Sequence, residues 1–174
     1  MWWVVGLVLV VVLVSAYLCW TAARVDRLHL RVAAAARALD AHLLRRAAAA
    51  AVLAEERYTA GPYAAELYAA ARQAIDAGAE EREIAENDLT RQLRTADLSS
   101  DDPAAEAVIA ASRRLALARQ VHTDLVRDAL LVRRRWIVRL LRMARKHERP
   151  RYFDVDDPTL TTGPELVDPN LRPA

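Results

Sequence analysis

The chain is predicted to be all-α: an N-terminal transmembrane helix continuing into an elongated antiparallel three-helix bundle of up-down-up topology, then a mostly irregular C-terminal tail. Three observations carry this prediction. Trp2 to Trp20 is an uncharged run of nineteen residues, rich in Val and Leu. Ala, Leu and Arg, all strong helix formers, dominate much of the chain beyond it. Four glycines in 174 residues, and aromatics at 6%, make a poor composition for a sheet protein.

The first run covers roughly 28 Å as a helix, close to the hydrocarbon thickness of a bilayer. Trp2 and Trp3 at one end, and Tyr17 and Trp20 at the other, are amphipathic rings suited to the two headgroup interfaces. A buried core helix is the alternative, but a chain this short and this polar elsewhere has too little material to wrap it. A cleaved signal peptide would want a basic leader, and only Met1 precedes the run. Val14-Ser15-Ala16 does offer a small-residue cleavage pattern, yet the apolar run outlasts an ordinary signal core and continues through Leu18. A lipoprotein reading of Cys19 would put the bulky Tyr17 where small residues belong. Residues 1–21 are therefore expected to remain as an anchor in the lipid bilayer. Arg24, Arg27 and Arg31 follow it, so the positive-inside rule places the N-terminus outside and the domain in the cytoplasm. The expectation is a single-pass protein of the plasma membrane, and the lone cysteine, which allows no internal disulfide, agrees with it.

Residues 22–149 are expected to form the bundle, with helices at about 2–59, 62–95 and 103–147, and residues 150–174 an acidic, Pro-rich tail. Val25, Leu28, Val32, Ala35, Leu39 and Leu43 recur at spacings of three and four, with Arg24, Arg27, Arg31, Arg37 and Arg45 mainly off that stripe. Gly61-Pro62 ends this first helix and starts the second. The second carries Tyr63, Leu67, Ala71, Ala74, Ile75, Ala85, Leu89 and Leu93, with Gly78 as a soft spot where a break is admissible. Asp102 is the expected N-cap of the third helix, with Pro103 in its first turn. Its seam reads Val108, Ala111, Leu115, Ala118, His122, Leu125, Ala129, Val132 and Trp136.

An up-down-up register puts Asp76 level with Arg45, and Glu83 and Glu86 near Arg37 and Arg31. The acidic run from Glu80 to Asp88 is then a partner for flanking arginines, in exposed pairs contributing about 0–1 kcal/mol each. Tyr58, Tyr63 and Trp136 would meet as an aromatic plug far from the membrane. Ile137 to Lys146 would overhang the bundle, covered by Tyr152, Phe153 and Val155 of the tail. Pro158, Pro164, Pro169 and Pro173 mark the remainder as irregular.

Four stretches together resemble the LemA family of membrane-anchored bacterial helical proteins. Leu39-Asp40-Ala41-His42-Leu43-Leu44-Arg45-Arg46 is similar to that family's hydrophobic-Asp-x-x-Leu-x-Arg-Arg segment after the anchor. Ala85-Glu86-Asn87-Asp88-Leu89 with Leu93 is similar to its Ala-Glu-x-x-Leu-x-x-x-Leu pattern, Ala118-Arg119 to its Ala-Arg pair, and Phe153-Asp154 to its closing Phe-Glu. Ala51 stands where the family has Pro, and His122-Thr123 and Ala129-Leu130 where it has Tyr-Asn. The resemblance implies an anchored helical bundle with no agreed catalytic activity.

No phosphate-binding Gly-rich loop, nucleophile elbow or His-Glu-x-x-His motif is present, so no enzyme and no cofactor are expected. His122 is expected to be a buried histidine bonded to a carboxylate, level with Asp76, with a pH-switch or ligand role as the alternative. His42 lies within reach of a two-histidine metal pocket, but the Glu-x-x-His pairs of carboxylate metal bundles are absent and no metal is expected.

Net charge is +2 and pI about 9.0, reflecting local arginine clusters. The sharpest of these is Arg133-Arg134-Arg135, Arg139, Arg142, Arg145, Lys146, Arg149 and Arg151. The expected function is a non-enzymatic, membrane-anchored adaptor or scaffold presenting Tyr58, Tyr63, Trp136, Arg139, Arg142 and Arg145 to protein partners. Self-association into a homo-oligomer is a further outcome of the same surface. The alternative is a binding module for anionic polymers, nucleic acid or acidic lipid, through residues 133–151. An up-down-up bundle disfavours lipid, because it carries that cluster away from the membrane. Nucleic acid is disfavoured because no known module for it is present.

Overall fold

The computed structural model describes residues 1–57, 62–96, 98, 102–141, 150–153 and 157–160, and every regular element among them is a helix. Helix α1 spans Trp2–Glu56, α2 Pro62–Asp76, α3 Arg82–Thr95, α4 Pro103–Arg134 and α5 Trp136–Leu140. The apolar run and the first domain helix are one unbroken helix of 55 residues, as expected where no Gly or Pro intervenes after Gly6. Leu18 is partly buried and every other residue from Trp2 to Trp20 is exposed, which overturns the core-helix alternative.

The expected single helix over 62–95 is corrected to two. The chain leaves helical geometry after Asp76, at Ala77-Gly78, turns with Glu81 N–H donating to the Gly78 carbonyl at 3.2 Å, and restarts at Arg82. Gly78 costs a helix interior about 1 kcal/mol relative to Ala. The Arg82 guanidinium satisfies a freed carbonyl, that of Ala77, at 2.9 Å. Helices α2 and α3 then pack against each other as a hairpin, burying Ala70, Ala71 and Ala74 of one and Ala85, Leu89 and Leu93 of the other in one cluster. Small side chains on α2 let such axes approach closely.

Two compact units follow, one comprising Leu39–Arg119 with Phe153–Ala174, the other Met1–Ala38 with Gln120–Tyr152. In the first, α1 contributes Ala47, Ala50, Leu53 and Ala54, and α4 contributes Ala104, Ala105, Val108 and Ile109, to the core that the α2–α3 hairpin closes. Here α4 runs antiparallel to α1: Arg57 pairs with Asp102, Arg46 with Ser112, and Leu39 and Leu43 cluster with Leu115. In the second unit the same direction holds, with Val32 beside Val126 and Ala129, His29 bonded to Arg133, and Val25 packed on Val138.

The up-down-up expectation is corrected by this direction. An up-down-up bundle makes its third helix parallel to its first, whereas the break at Gly78 adds one reversal and makes α4 antiparallel to α1. Helix α4 also ends at Arg134 rather than near residue 147, with the short α5 after a bend at Arg135. Of the tail residues expected to cover an overhang, Phe153 packs instead on Leu39, Leu43, Leu115 and Ala118 and Tyr152 is exposed, while Leu160 is buried in the core. Val155 lies outside the described residues.

Candidate functional site

The core of the first unit contains a charged cluster. Arg46 sits three residues after Leu43 and seven after Leu39, on the apolar stripe of α1, so helical geometry sends its guanidinium inward. It is 0% exposed. Its Nη1 donates to Glu86 Oε2 at 3.3 Å, Nη2 to Thr90 Oγ1 at 2.9 Å, and Nε to Ser112 Oγ at 3.2 Å. Thr90 in turn donates to the Glu86 carbonyl at 2.7 Å. One side chain thereby ties α1 to α3 and α4. The fork geometry of Arg suits this, since its donors diverge in a fixed plane.

Burial decides the electrostatics of this cluster. Glu86 is 1% exposed. Loss of hydration pushes its carboxyl up to about 7, against the opposing attraction of Arg46 and then Arg82. Burial also lowers Arg46 from its ordinary value, opposed by Glu86. The guanidinium nevertheless keeps its proton, so Glu86 is the group that titrates. Glu86 Oε1 has no hydrogen-bond partner among the described residues.

A second charged contact fastens the start of α4. As expected for an N-cap, Asp102 Oδ1 accepts from the Ala104 N–H at 2.9 Å, while Oδ2 accepts from Arg57 Nη2 at 2.7 Å and Nε at 3.2 Å. The Arg57 hydrogen bonds, and then the N–H groups of Ala104 and Ala105, hold this carboxyl below its ordinary 3.8 despite some desolvation. A depressed folded value means the stability it supplies is present above the unfolded value and lost as pH falls through the folded one. Asp102→Asn is therefore expected to flatten the acid limb of the stability–pH curve, measured by urea unfolding followed by circular dichroism.

The acidic run pairs differently from the expected register. Glu86 meets Arg46 rather than Arg31 or Arg37; Asp40 pairs with Arg82 at 3.6 Å, Asp88 with Arg91, and Asp76 with Arg72 at 3.5 Å rather than with Arg45. His122 is buried in the second unit, and Asp76, exposed on α2, pairs with Arg72. His42 is partly buried in the first unit. Among the described residues no group of three or more His, Cys, Asp or Glu side chains could hold a metal.

The second unit gathers the predicted interface residues and part of the basic cluster. Trp2 and Trp3 are exposed at the start of α1. Tyr17 and Trp20 are exposed with ring centroids 6.4 Å apart, and the Arg24 guanidinium lies over the Trp20 ring at 5.6 Å. His29 Nδ1 donates to the Val25 carbonyl at 2.9 Å. Its Nε2 must then accept from Arg133 Nη1 at 3.1 Å, because a guanidinium has no acceptor to offer. On α5, Val138 is 1% exposed while Trp136 and Leu140 are 71% and 69% exposed.

Two members of the expected aromatic plug lie in different compact units. Trp136 is exposed beside Arg139 on α5, whereas Tyr63 is partly buried against the core of the other unit. Tyr58, Arg142 and Arg145 lie outside the described residues. Arg46, Glu86, Thr90 and Ser112 were not among the expected site residues. Their signal was available: an Arg and a Glu standing on apolar stripes, three residues from Leu43 and Leu89. In comparison with known proteins, the chain matches no family model, no curated protein and no solved structure.

Proposed function

We propose that this protein is a non-enzymatic, membrane-anchored helical adaptor of LemA-like type, with its N-terminus outside the plasma membrane and its helical domain presented to protein partners in the cytoplasm. The observation that carries this reading is the exposure of the apolar Trp2–Trp20 run on a helix that continues unbroken into the domain. Such a run exposed to water would cost roughly 1.5–3 kcal/mol for each large side chain left unburied, and a bilayer removes that cost. Two of the LemA-like stretches meet in the core through Arg46 and Glu86, which supports reading them as parts of one fold. The charged groups of that cluster bond to one another, as befits a positioning device.

Alkaline carbonate extraction of cells tests the anchor: the full chain is expected in the membrane pellet. Its release to the supernatant, or an intact mass lacking the first twenty residues, overturns the reading. Topology is read separately with Ala174→Cys in a Cys19→Ser background. An impermeant thiol reagent is expected to label it only after lysis, and labelling in intact cells would reverse the orientation.

A further inference from the structure

We propose that the end of α4, the bend at Arg135 and helix α5 form, with the α1 turns after Trp20, a docking surface for the anionic phospholipid headgroups of the membrane that α1 crosses. This rests on the anchor reading above and assigns that anchor a lipid preference.

Depth is the first argument. Val138 packs on Val25, five residues or roughly 7.5 Å along the helix from Trp20. The headgroup layer is itself roughly 5–8 Å deep, so α5 stands at its level. Both contacts that set this position, Val138 on Val25 and Arg133 on His29, lie within one compact unit with the apolar run. The distance also falls within a Debye length of about 8 Å, so the charges on α5 are felt at the membrane surface.

Charge is the second. Residues 21–31 and 132–141 carry seven arginines and one acidic residue, Asp26. Arg24, Arg27, Arg31, Arg134, Arg135 and Arg139 are exposed, and Asp26 is partly buried. The nearest acidic groups on α4, Asp124 and Asp128, are on turns of α4 before this end. A phosphodiester presents the acceptor geometry that guanidinium groups bind through paired N–H donors.

The third argument separates lipid from nucleic acid. Trp136 and Leu140, spaced i and i+4, share one face of α5, and both are largely exposed; Leu141 after them is exposed as well. Aromatic and aliphatic side chains beside arginines are the composition of an in-plane interfacial element, in which rings settle among headgroups and cations among phosphates. A soluble polyanion would engage the arginines and leave Leu140 and Leu141 in water.

The test uses the full chain in lipid nanodiscs, with Trp2, Trp3 and Trp20 changed to Phe so that Trp136 is the sole tryptophan. Mixing phosphatidylglycerol into phosphatidylcholine is expected to shift Trp136 emission to the blue and lower its acrylamide quenching about threefold, an effect reversed by raised salt. The triple variant Arg134→Glu, Arg135→Glu, Arg139→Glu is expected to lose this response, and the corresponding Lys variants to retain it. Equal quenching of Trp136 in both lipids would overturn the proposal, as would protection by soluble single-stranded RNA in phosphatidylcholine discs with none from phosphatidylglycerol. A companion chain retaining only Trp20 is read with brominated lipids. Quenched Trp20 with unresponsive Trp136 sinks the docking surface alone, whereas unquenched Trp20 sinks the anchor.

Discussion

Replacing Arg46 with alanine is expected to destabilise the helical domain by about 3–5 kcal/mol near pH 8, the usual cost of breaking a buried ion pair from one side. The residue is fully buried, and its removal strands the Glu86 carboxylate together with the hydroxyls of Thr90 and Ser112. The penalty is expected to shrink as pH falls, because Glu86, without the Arg46 charge that opposes its protonation, can take up a proton and enter the core neutral. Replacing both partners with apolar residues, Arg46→Met with Glu86→Leu, is expected to recover most of the loss, because burying matched charges gains little over packing of similar volume. Urea unfolding of the full chain in detergent, followed by circular dichroism, measures all three chains. An Arg46→Ala chain within about 1 kcal/mol of wild type would refute the account of this cluster.

The second large effect is the pH dependence that Glu86 imposes. Its folded value is raised from 4.5 to about 7 by burial. Between those values the folded state binds the proton that the unfolded state has released. Stability is therefore greatest below the unfolded value and falls as pH rises through the window. At 1.36 kcal/mol per unit the loss reaches about 3 kcal/mol by pH 7 and levels off above it. Glu86→Gln, neutral throughout and able to accept from Arg46 through its amide oxygen, is expected to remove this slope. The same unfolding titrations across pH 4–8 decide the matter, and a wild-type curve that rises over that window contradicts the burial-dominated reading.

The α4 direction is where sequence reasoning and tertiary structure part. Counting short connections made neighbouring helices antiparallel, which is sound for each connection taken singly. The outcome depends on the parity of reversals, and Gly78 adds one. That single break turns α4 antiparallel to α1 and sets Val138 against Val25. It thereby moves Arg133, Arg134, Arg135 and Arg139 from the far end of the expected bundle to the turns that follow the apolar run. The objection to acidic lipid as a partner of this cluster falls with the up-down-up topology that motivated it. Gly78 was legible as a weak point, but whether a helix bends or reverses there depends on what its two halves can bury. The facing alanines of α2 and the Leu89 and Leu93 side chains of α3 make reversal the better packed outcome.

The sequence alone determined what depends on local chemistry. Helix content, the unbroken run from Trp2 into the domain, the Asp102 cap before Pro103 and the stripe from Val25 to Leu43 all follow from propensity and 3.6-residue periodicity, which act within a few turns. Only the tertiary structure decided which stripe residues meet across the chain. Pattern assigned the Glu80–Asp88 run to an exposed face, yet packing drew Glu86 into the core because a buried guanidinium three residues from Leu43 required a partner there. Periodicity gives the face a side chain occupies and leaves open what lies opposite, since long-range pairing is settled by the free energy of the whole packed core.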